Sequence, residues 1–200
     1  MAAYTTFEGT HKTDDGVELY TKTWKVSGDA AAAKARVLFV HGFSDHCNNY
    51  PVLFDHLANQ GIDIYAFDQR YFHPAYLYLG ITSLLTCLYR GWGRSVHHKR
   101  ERGLTGPTTR VIDDITSMLH TLLPSPVPLF LMGHSMGGAE ILYYASTGPS
   151  ALLSQIRGFI ASAPLIGLHS DTRPFKATVY AGRLAGRLLP KFQLVNKAGQ

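Results

Sequence analysis

One short segment of this 200-residue chain restricts its fold more than any other. Residues 133–138 read GHSMGG, with the apolar run VPLFLM before them at 127–132 and an apolar, helix-compatible stretch after them at 139–146. Glycines two residues on either side of Ser135 are typical of a sharp strand-to-helix turn, because larger side chains would collide across it. A buried strand that passes directly into a helix is typical of α/β proteins.

The rest of the chain repeats this alternation of strands and helices. Further strand patterns occur at 16–26, 36–40, 62–67 and 156–161. Helical patterns separate some of them, at 50–59 and 108–123. The run RVLFV at 36–40 is mostly apolar, as in strands that are buried on both faces of a sheet. We therefore predict an α/β fold in which helices cover both faces of a mostly parallel sheet.

The turn at 133–138 also presents a hydroxyl group in a position suited to catalysis. In the pattern G-x-S-x-G, here Gly133, Ser135 and Gly137, the serine side chain projects from the apex of the turn. The helix that follows directs its free N–H groups towards the place where an oxyanion would form. We predict that Ser135 is a nucleophile and that the Met136 N–H is one oxyanion-hole donor.

A second segment supplies a partner for that donor. His41, Gly42 and Phe43 follow the strand at 36–40, and the loop after this strand contributes the other N–H group in sites of this kind. We assign that donor to Phe43. His41, at the end of a strand, is interpreted as a residue that shapes the loop rather than as a base, and His134 as a packing residue.

Four segments together resemble the monoacylglycerol lipase group of α/β-hydrolases, which is classified with the serine aminopeptidase-like hydrolases. They are VLFVHGFSDHCNNY, YAFDQR, GHSMGGAEILYYAS and GFIASAPLI, and the resemblance extends over residues 5–197 apart from one insert. It implies an α/β-hydrolase fold and hydrolysis of monoacylglycerol, or a similar small lipid ester with one acyl chain, through an acyl-enzyme on Ser135. Such hydrolysis needs water and no cofactor.

The same resemblance implies how the chain is divided. Residues 1–164 would form the N-terminal part of the hydrolase core, and residues 165–200 would begin the cap that shapes the acyl pocket. The apolar, cationic stretch at 177–192 fits a cap segment that touches lipid and fits equally well a helix packed on the sheet.

The sequence departs from the family pattern after the nucleophile. α/β-hydrolases carry the triad acid and histidine on loops after later strands. His169 and Asp171 are the only histidine and aspartate beyond Ser135, and they are too close together to match the family's separated pair. We therefore expect the triad acid and histidine and the C-terminal strands to be missing, and the chain to be nearly inactive. The alternative function is a non-catalytic, truncated product that binds lipid or a partner through its apolar surface.

A second departure lies at residues 71–90. Without them, DQR at 68–70 would join GWGRS at 91–95 and resemble the family's D-x-R-G-x-G-x-S loop. One interpretation is an apolar flap or an interfacial anchor. We favour a retained intron, because the codons at both ends of the segment can supply splice sites.

Charge and composition argue against other functions. The net charge of +5 is densest at 97–102, HHKRER, where we favour a solvated loop over a docking site because no RNA-binding pattern accompanies it. The histidines and the two cysteines lack metal-ligand spacing. Asp113 and Asp114, in the first turn of a helix, are interpreted as structural. The few cysteines and the lack of a signal peptide or membrane span predict a cytoplasmic protein with peripheral contact to a membrane or lipid droplet.

Overall fold

The structure is a computed structural model that describes residues 4–29, 32–43, 45–70, 94–95, 108–167 and 180. Three sequence predictions therefore concern residues outside these ranges: the insert at 71–90, the basic stretch at 97–102, and the cap beyond residue 167 apart from Tyr180.

Strands and helices alternate along the described part of the chain. The strands are β1 (Tyr4–Lys12), β2 (Glu18–Val26), β3 (Ala35–Val40), β4 (Ile62–Phe67), β5 (Leu129–His134) and β6 (Ile156–Ser162). The helices are α1 (Pro51–Asn59), α2 (Thr108–Leu122), α3 (Met136–Thr147) and α4 (Ser150–Leu153), and a short 3-10 helix spans Cys47–Asn49. Pro51 begins α1 because its missing N–H is not needed there.

The strands form one sheet in the order β1-β2-β4-β3-β5-β6. β4, β3, β5 and β6 are mutually parallel, whereas β1 and β2 pair antiparallel with each other and β2 pairs antiparallel with β4. The prediction of a mostly parallel sheet is therefore confirmed. β1 could not be predicted from the sequence, because most of its side chains are exposed and show no apolar alternation.

Both faces of the sheet are buried, and β3 shows how. Val37 and Phe39 pack on one face with Phe54 of α1, whereas Leu38 and Val40 pack on the other face with α2 and α3. Side chains alternate between the faces of a strand, so a strand buried on both faces is apolar throughout. This arrangement places the carboxyl ends of β3 and β5 side by side, where the candidate site lies.

Candidate active site

Ser135 occupies the single residue between β5 and α3. Its backbone has φ 54° and ψ −115°, a conformation that is unfavourable for a residue with a Cβ atom. The Ser135 N–H donates to the Ser162 carbonyl at 2.9 Å, and the Ser135 carbonyl accepts from the Leu165 N–H at 2.9 Å. These two backbone hydrogen bonds hold Ser135 in its strained conformation.

The glycines of this turn lie where the backbone leaves no room for a side chain. A Cβ atom on Gly133 would lie closer than 3.0 Å to the backbone of Gly137, a separation that Cβ atoms essentially never show. A Cβ atom on Gly137 would lie equally close to the carbonyl groups of Val40 and His41 at the end of β3. Glycine at 137 therefore lets the start of α3 pack directly against the end of β3.

The loop after β3 lies against the serine turn. A Cβ atom on Gly42 would be 3.2 Å from both the His134 carbonyl oxygen and Ser135 Cβ. Phe43 follows at the surface, and Met136 is the first residue of α3, where helix geometry leaves N–H groups without intrahelical acceptors. The two segments that carry the predicted oxyanion donors are therefore adjacent. Their catalytic role stays a prediction.

His41 is fully buried and shapes the loop through three hydrogen bonds. The Gln69 backbone N–H donates to His41 Nε2 at 2.8 Å, the Gln69 side-chain amide donates to the His41 carbonyl at 2.8 Å, and His41 Nδ1 lies 2.8 Å from the Gly42 carbonyl. Because a backbone N–H can only donate, Nε2 is unprotonated and Nδ1 carries the hydrogen. Burial lowers the pKa of His41, which agrees with a neutral ring.

Glu140 is a buried acid that the sequence analysis does not single out. It lies on α3 and is 8% exposed, and neither carboxyl oxygen has a hydrogen-bond partner of normal length among the described residues. Burial raises its pKa to about 8, and a weaker interaction with the Gln69 amide only partly offsets this rise. The sequence feature that could have pointed to Glu140 is that it is the one acidic residue in the apolar stretch at 139–146.

Asp68 joins two distant segments beside the site. Its carboxylate accepts the backbone N–H groups of Cys47 at 2.8 Å and Arg94 at 2.7 Å, and its carbonyl accepts the Ser95 hydroxyl at 2.6 Å. Ser95 Oγ in turn accepts the Tyr20 N–H at 2.8 Å. The chain therefore returns at residue 94 to the place that it leaves after residue 70.

An ion-pair cluster explains one of the two adjacent acids of α2, Asp113 and Asp114. Both lie beyond the first turn of the helix, so the prediction that they are first-turn residues is wrong. Arg70 donates to both Asp15 and the buried Asp114, and Arg110 also pairs with Asp15. Burial raises the pKa of Asp114 to about 6 although Arg70 opposes that rise. Asp113 is exposed. Asp114 therefore links α2 to Arg70, in the segment that follows β4, which supports the structural interpretation of this acid.

No histidine within the described ranges forms a hydrogen bond with the Ser135 hydroxyl, and no cluster of histidine, cysteine, aspartate and glutamate in those ranges could hold a metal ion. His169 and Asp171 lie outside the described residues. Among the helices that are described, none is long and apolar enough to cross a bilayer.

Comparison with known proteins agrees with this architecture. The family described as serine aminopeptidase, S33, matches residues 31–71 and 85–200. The chain belongs to this family. The resemblance noted in the sequence and the α/β-hydrolase fold are thereby confirmed, and the family match omits 72–84, which lies inside the segment that interrupts the 68–95 motif.

Monoglyceride lipases are among the relatives of this family member. The Saccharomyces cerevisiae enzyme is 32% identical over 184 residues, which cover 90% of this chain and 51% of the relative. The Rattus norvegicus enzyme is 28% identical over 182 residues, with 90% and 50% covered. A crystal structure of a soluble variant of the S. cerevisiae enzyme, in complex with a substrate analog, superposes with a TM-score of 0.65 at 28% identity and covers 95% of this chain and 54% of that one. The chain spans about half the length of these relatives.

Proposed function

We propose that this S33-family chain provides the nucleophile-bearing half of a serine ester hydrolase whose substrate is monoacylglycerol or a related ester with one acyl chain. The observation that carries this proposal is the strained Ser135 turn at the start of α3, with the Gly42–Phe43 loop packed against it. The relatives named as monoglyceride lipases support the choice of substrate class.

The proposed reaction has two steps. Ser135 Oγ attacks the ester carbonyl carbon and loses its proton to a base, while the N–H groups of Phe43 and Met136 bind the resulting oxyanion. The tetrahedral intermediate collapses, the alcohol leaves with a proton, and an acyl group stays on Ser135. Water then attacks the acyl-enzyme and releases the fatty acid and the free serine. The proposal requires a histidine and an acid that the described residues do not place at Ser135.

Fluorophosphonate labelling tests the nucleophile. The native transcript is the messenger RNA that the cell makes, with or without the codons for 71–90 and with any codons beyond this chain. We expect the polypeptide that it encodes to be labelled at Ser135, and Ser135→Ala to lose all labelling at that position. Ser146→Ala is the matched control, because it removes a hydroxyl from the exposed end of α3 and should leave labelling unchanged. A wild-type protein that is not labelled would refute the proposal.

The 200-residue chain should react far more slowly if no triad partners reach Ser135. Removing the histidine of a serine protease triad costs about 10⁶ in turnover. Comparing the labelling rates of this chain and of the polypeptide from the native transcript therefore measures any contribution from residues outside this chain.

A second candidate function follows from exposed apolar side chains near β6. Ile160, Leu165 and Ile166 are 43%, 44% and 80% exposed. These side chains fit the alternative of a non-catalytic product that binds lipid or a partner. Saturable binding of an acyl lipid that Ser135→Ala leaves undiminished, without turnover, would favour this function.

We also propose that residues 71–90 are an insert that the fold does not need. Asp68 already holds Arg94 and Ser95, so deletion of 71–90 leaves Gly91, Trp92 and Gly93 to connect Arg70 to Arg94. Shortening this loop lowers the entropy cost of closing it, and we expect a gain of about 1–2 kcal/mol in the free energy of unfolding. Thermal denaturation measures the change.

A second deletion of twenty residues distinguishes the effect of the restored Gly-Trp-Gly sequence from the effect of a shorter loop. Deleting 74–93 leaves a connection of three residues, 71–73, without glycine. We expect this variant to be less stable than the variant lacking 71–90, because glycine adopts tight backbone conformations more readily. Loss of folded protein on deletion of 71–90 would show that the segment belongs to the fold.

A further inference from the structure

Tyr50 lies between the loop after β3 and the turn that carries Ser135. It immediately precedes α1, and its side chain is partly buried. Its ring contacts Phe39 of β3 edge-on, with centroids 4.5 Å apart, and stacks on Phe54 of α1 at 5.6 Å. A further edge-on contact, at 5.9 Å, joins the ring to His134, the residue before the nucleophile.

The Tyr50 hydroxyl faces the other way, into the loop. It donates a hydrogen bond to the Asp45 carboxylate, which also accepts from the His46 backbone N–H at 2.8 Å and from the Asn49 side-chain amide. Asp45 therefore gathers three donors from residues 46, 49 and 50. The Tyr50 hydroxyl also interacts with the backbone N–H of Gly42, which joins this cluster to the start of the loop. Burial and the Asp45 charge both raise the pKa of Tyr50, so the hydroxyl stays protonated and able to donate.

We infer that Tyr50 is a positioning residue, whose hydroxyl holds the Phe43 loop while its ring packs against the serine turn, so that one side chain sets the separation of the two oxyanion donors. This inference rests on the proposed function, in which the N–H groups of Phe43 and Met136 bind the oxyanion. Phe43 directly follows Gly42, whose backbone N–H interacts with the Tyr50 hydroxyl, and Met136 follows His134 by two residues. Donors of this kind stabilise charge only when they are held at hydrogen-bond distance from the oxyanion.

A purely structural role for Tyr50 makes a different prediction. If only the ring matters, Tyr50→Phe should behave like the wild-type protein, since it keeps every aromatic contact. If the hydroxyl positions the loop, Tyr50→Phe should leave the fold intact and loosen the segment that contains Phe43. Tyr4→Phe is the matched control, because the Tyr4 hydroxyl bonds to Asp55 on α1, away from the loop.

Two measurements test the inference. The first is hydrogen exchange of the Phe43 backbone amide, followed by NMR in the 200-residue chain, which needs no turnover. The second is hydrolysis of p-nitrophenyl butyrate by the native transcript's product. Removing one oxyanion donor costs about 10²–10³ in kcat. A displaced donor costs less, so we expect Tyr50→Phe to lower kcat about tenfold, to leave KM within twofold, and to speed Phe43 exchange about tenfold.

Asp45→Asn extends the test, since it weakens the acceptor and keeps the side-chain shape. It should change Phe43 exchange in the same direction as Tyr50→Phe, and the double variant should be no worse than the more severe single variant, because both changes act on the same hydrogen bond. Phe43 exchange in Tyr50→Phe that equals exchange in Tyr4→Phe would overturn the inference. So would a higher KM with unchanged kcat. A wild-type protein without hydrolysis or labelling would refute the proposed function, and the exchange rates would still decide whether the hydroxyl holds the loop.

Discussion

Replacing Gly137 by alanine is expected to abolish stable folding, or to lower the melting temperature by about 10 °C or more. The added methyl group would lie closer than 3.0 Å to the carbonyl groups of Val40 and His41. These atoms belong to the backbone at the end of β3, so no side-chain rotation can relieve the contact. Overpacking of a rigid site costs about 1–3 kcal/mol and occasionally more. We expect Gly137→Ala to lower the free energy of unfolding by an amount at or above the upper end of this range.

Gly9→Ala provides the comparison. Gly9 lies in β1, and a Cβ atom there would approach only the Thr21 hydroxyl oxygen, at 3.5 Å, which is ordinary contact. Because glycine in a strand is less stable than alanine by about 0.5–1 kcal/mol, Gly9→Ala should melt slightly higher than the wild-type chain. Thermal unfolding followed by circular dichroism gives both values. If Gly137→Ala melted within 2–3 °C of Gly9→Ala, about the effect of 1 kcal/mol, the packing of α3 on β3 would be looser than the structure indicates.

Replacing Glu140 by glutamine is expected to stabilise the chain at pH 8 and to have little effect near pH 4.5. The folded protein raises the pKa of Glu140 to about 8 from the ordinary value of 4.5, because the carboxyl group is buried. In this interval the unfolded chain ionises the group and the folded chain keeps it protonated. Its contribution to stability is complete below pH 4.5 and is lost as the pH rises through 8.

The size of this effect follows from the pKa difference. One pKa unit corresponds to about 1.4 kcal/mol, so the loss between pH 4.5 and pH 8 is on the order of 5 kcal/mol. Glutamine has nearly the same shape and does not ionise. Urea denaturation of both proteins across this range measures the difference, and subtraction cancels the titration of His41 and Asp114.

Asp113→Asn is the control for the loss of one negative charge. Asp113 lies on α2 and is exposed, so its replacement should shift the curve little at any pH. Parallel stability curves for the wild-type chain and Glu140→Gln would contradict the burial of an ionisable group at this position.

Much of the fold could be predicted because burial on both faces of a sheet leaves apolar runs in the sequence. β3, β4 and β6 lie within one residue of their predicted bounds. β5 begins at Leu129 rather than at the predicted residue 127, because the preceding Pro128 has no N–H to donate to the sheet. β1 shows no such pattern, since it lies at the edge of the sheet and exposes most of its side chains while its backbone pairs with β2.

The candidate site could be predicted only in part, for a related reason. The serine turn has a local signature, because glycine is needed two residues on either side of Ser135. The hydrogen bonds of Asp68 and His41 join backbone groups and side chains from separate segments, and such pairs have no fixed spacing in a sequence. Glu140 could not be predicted, because helical periodicity identifies the buried face of a helix from its apolar residues. It gives no sign that an acid on that face is also buried.

The position of β5 in the sheet has a consequence for the order in which the protein assembles during synthesis. β1 and β2 pair with each other over a short connection, whereas β5 joins through β3, and Val37 of β3 pairs with Phe130 across a long stretch of chain. Such long-range parallel contacts form slowly, because a large loop must close before they can stabilise the chain. A nascent chain on the ribosome would expose the apolar edge of β3 until residue 134 has emerged. The serine turn also bonds to Ser162 and Leu165, so it can be completed only after β6 and the segment that follows it have emerged.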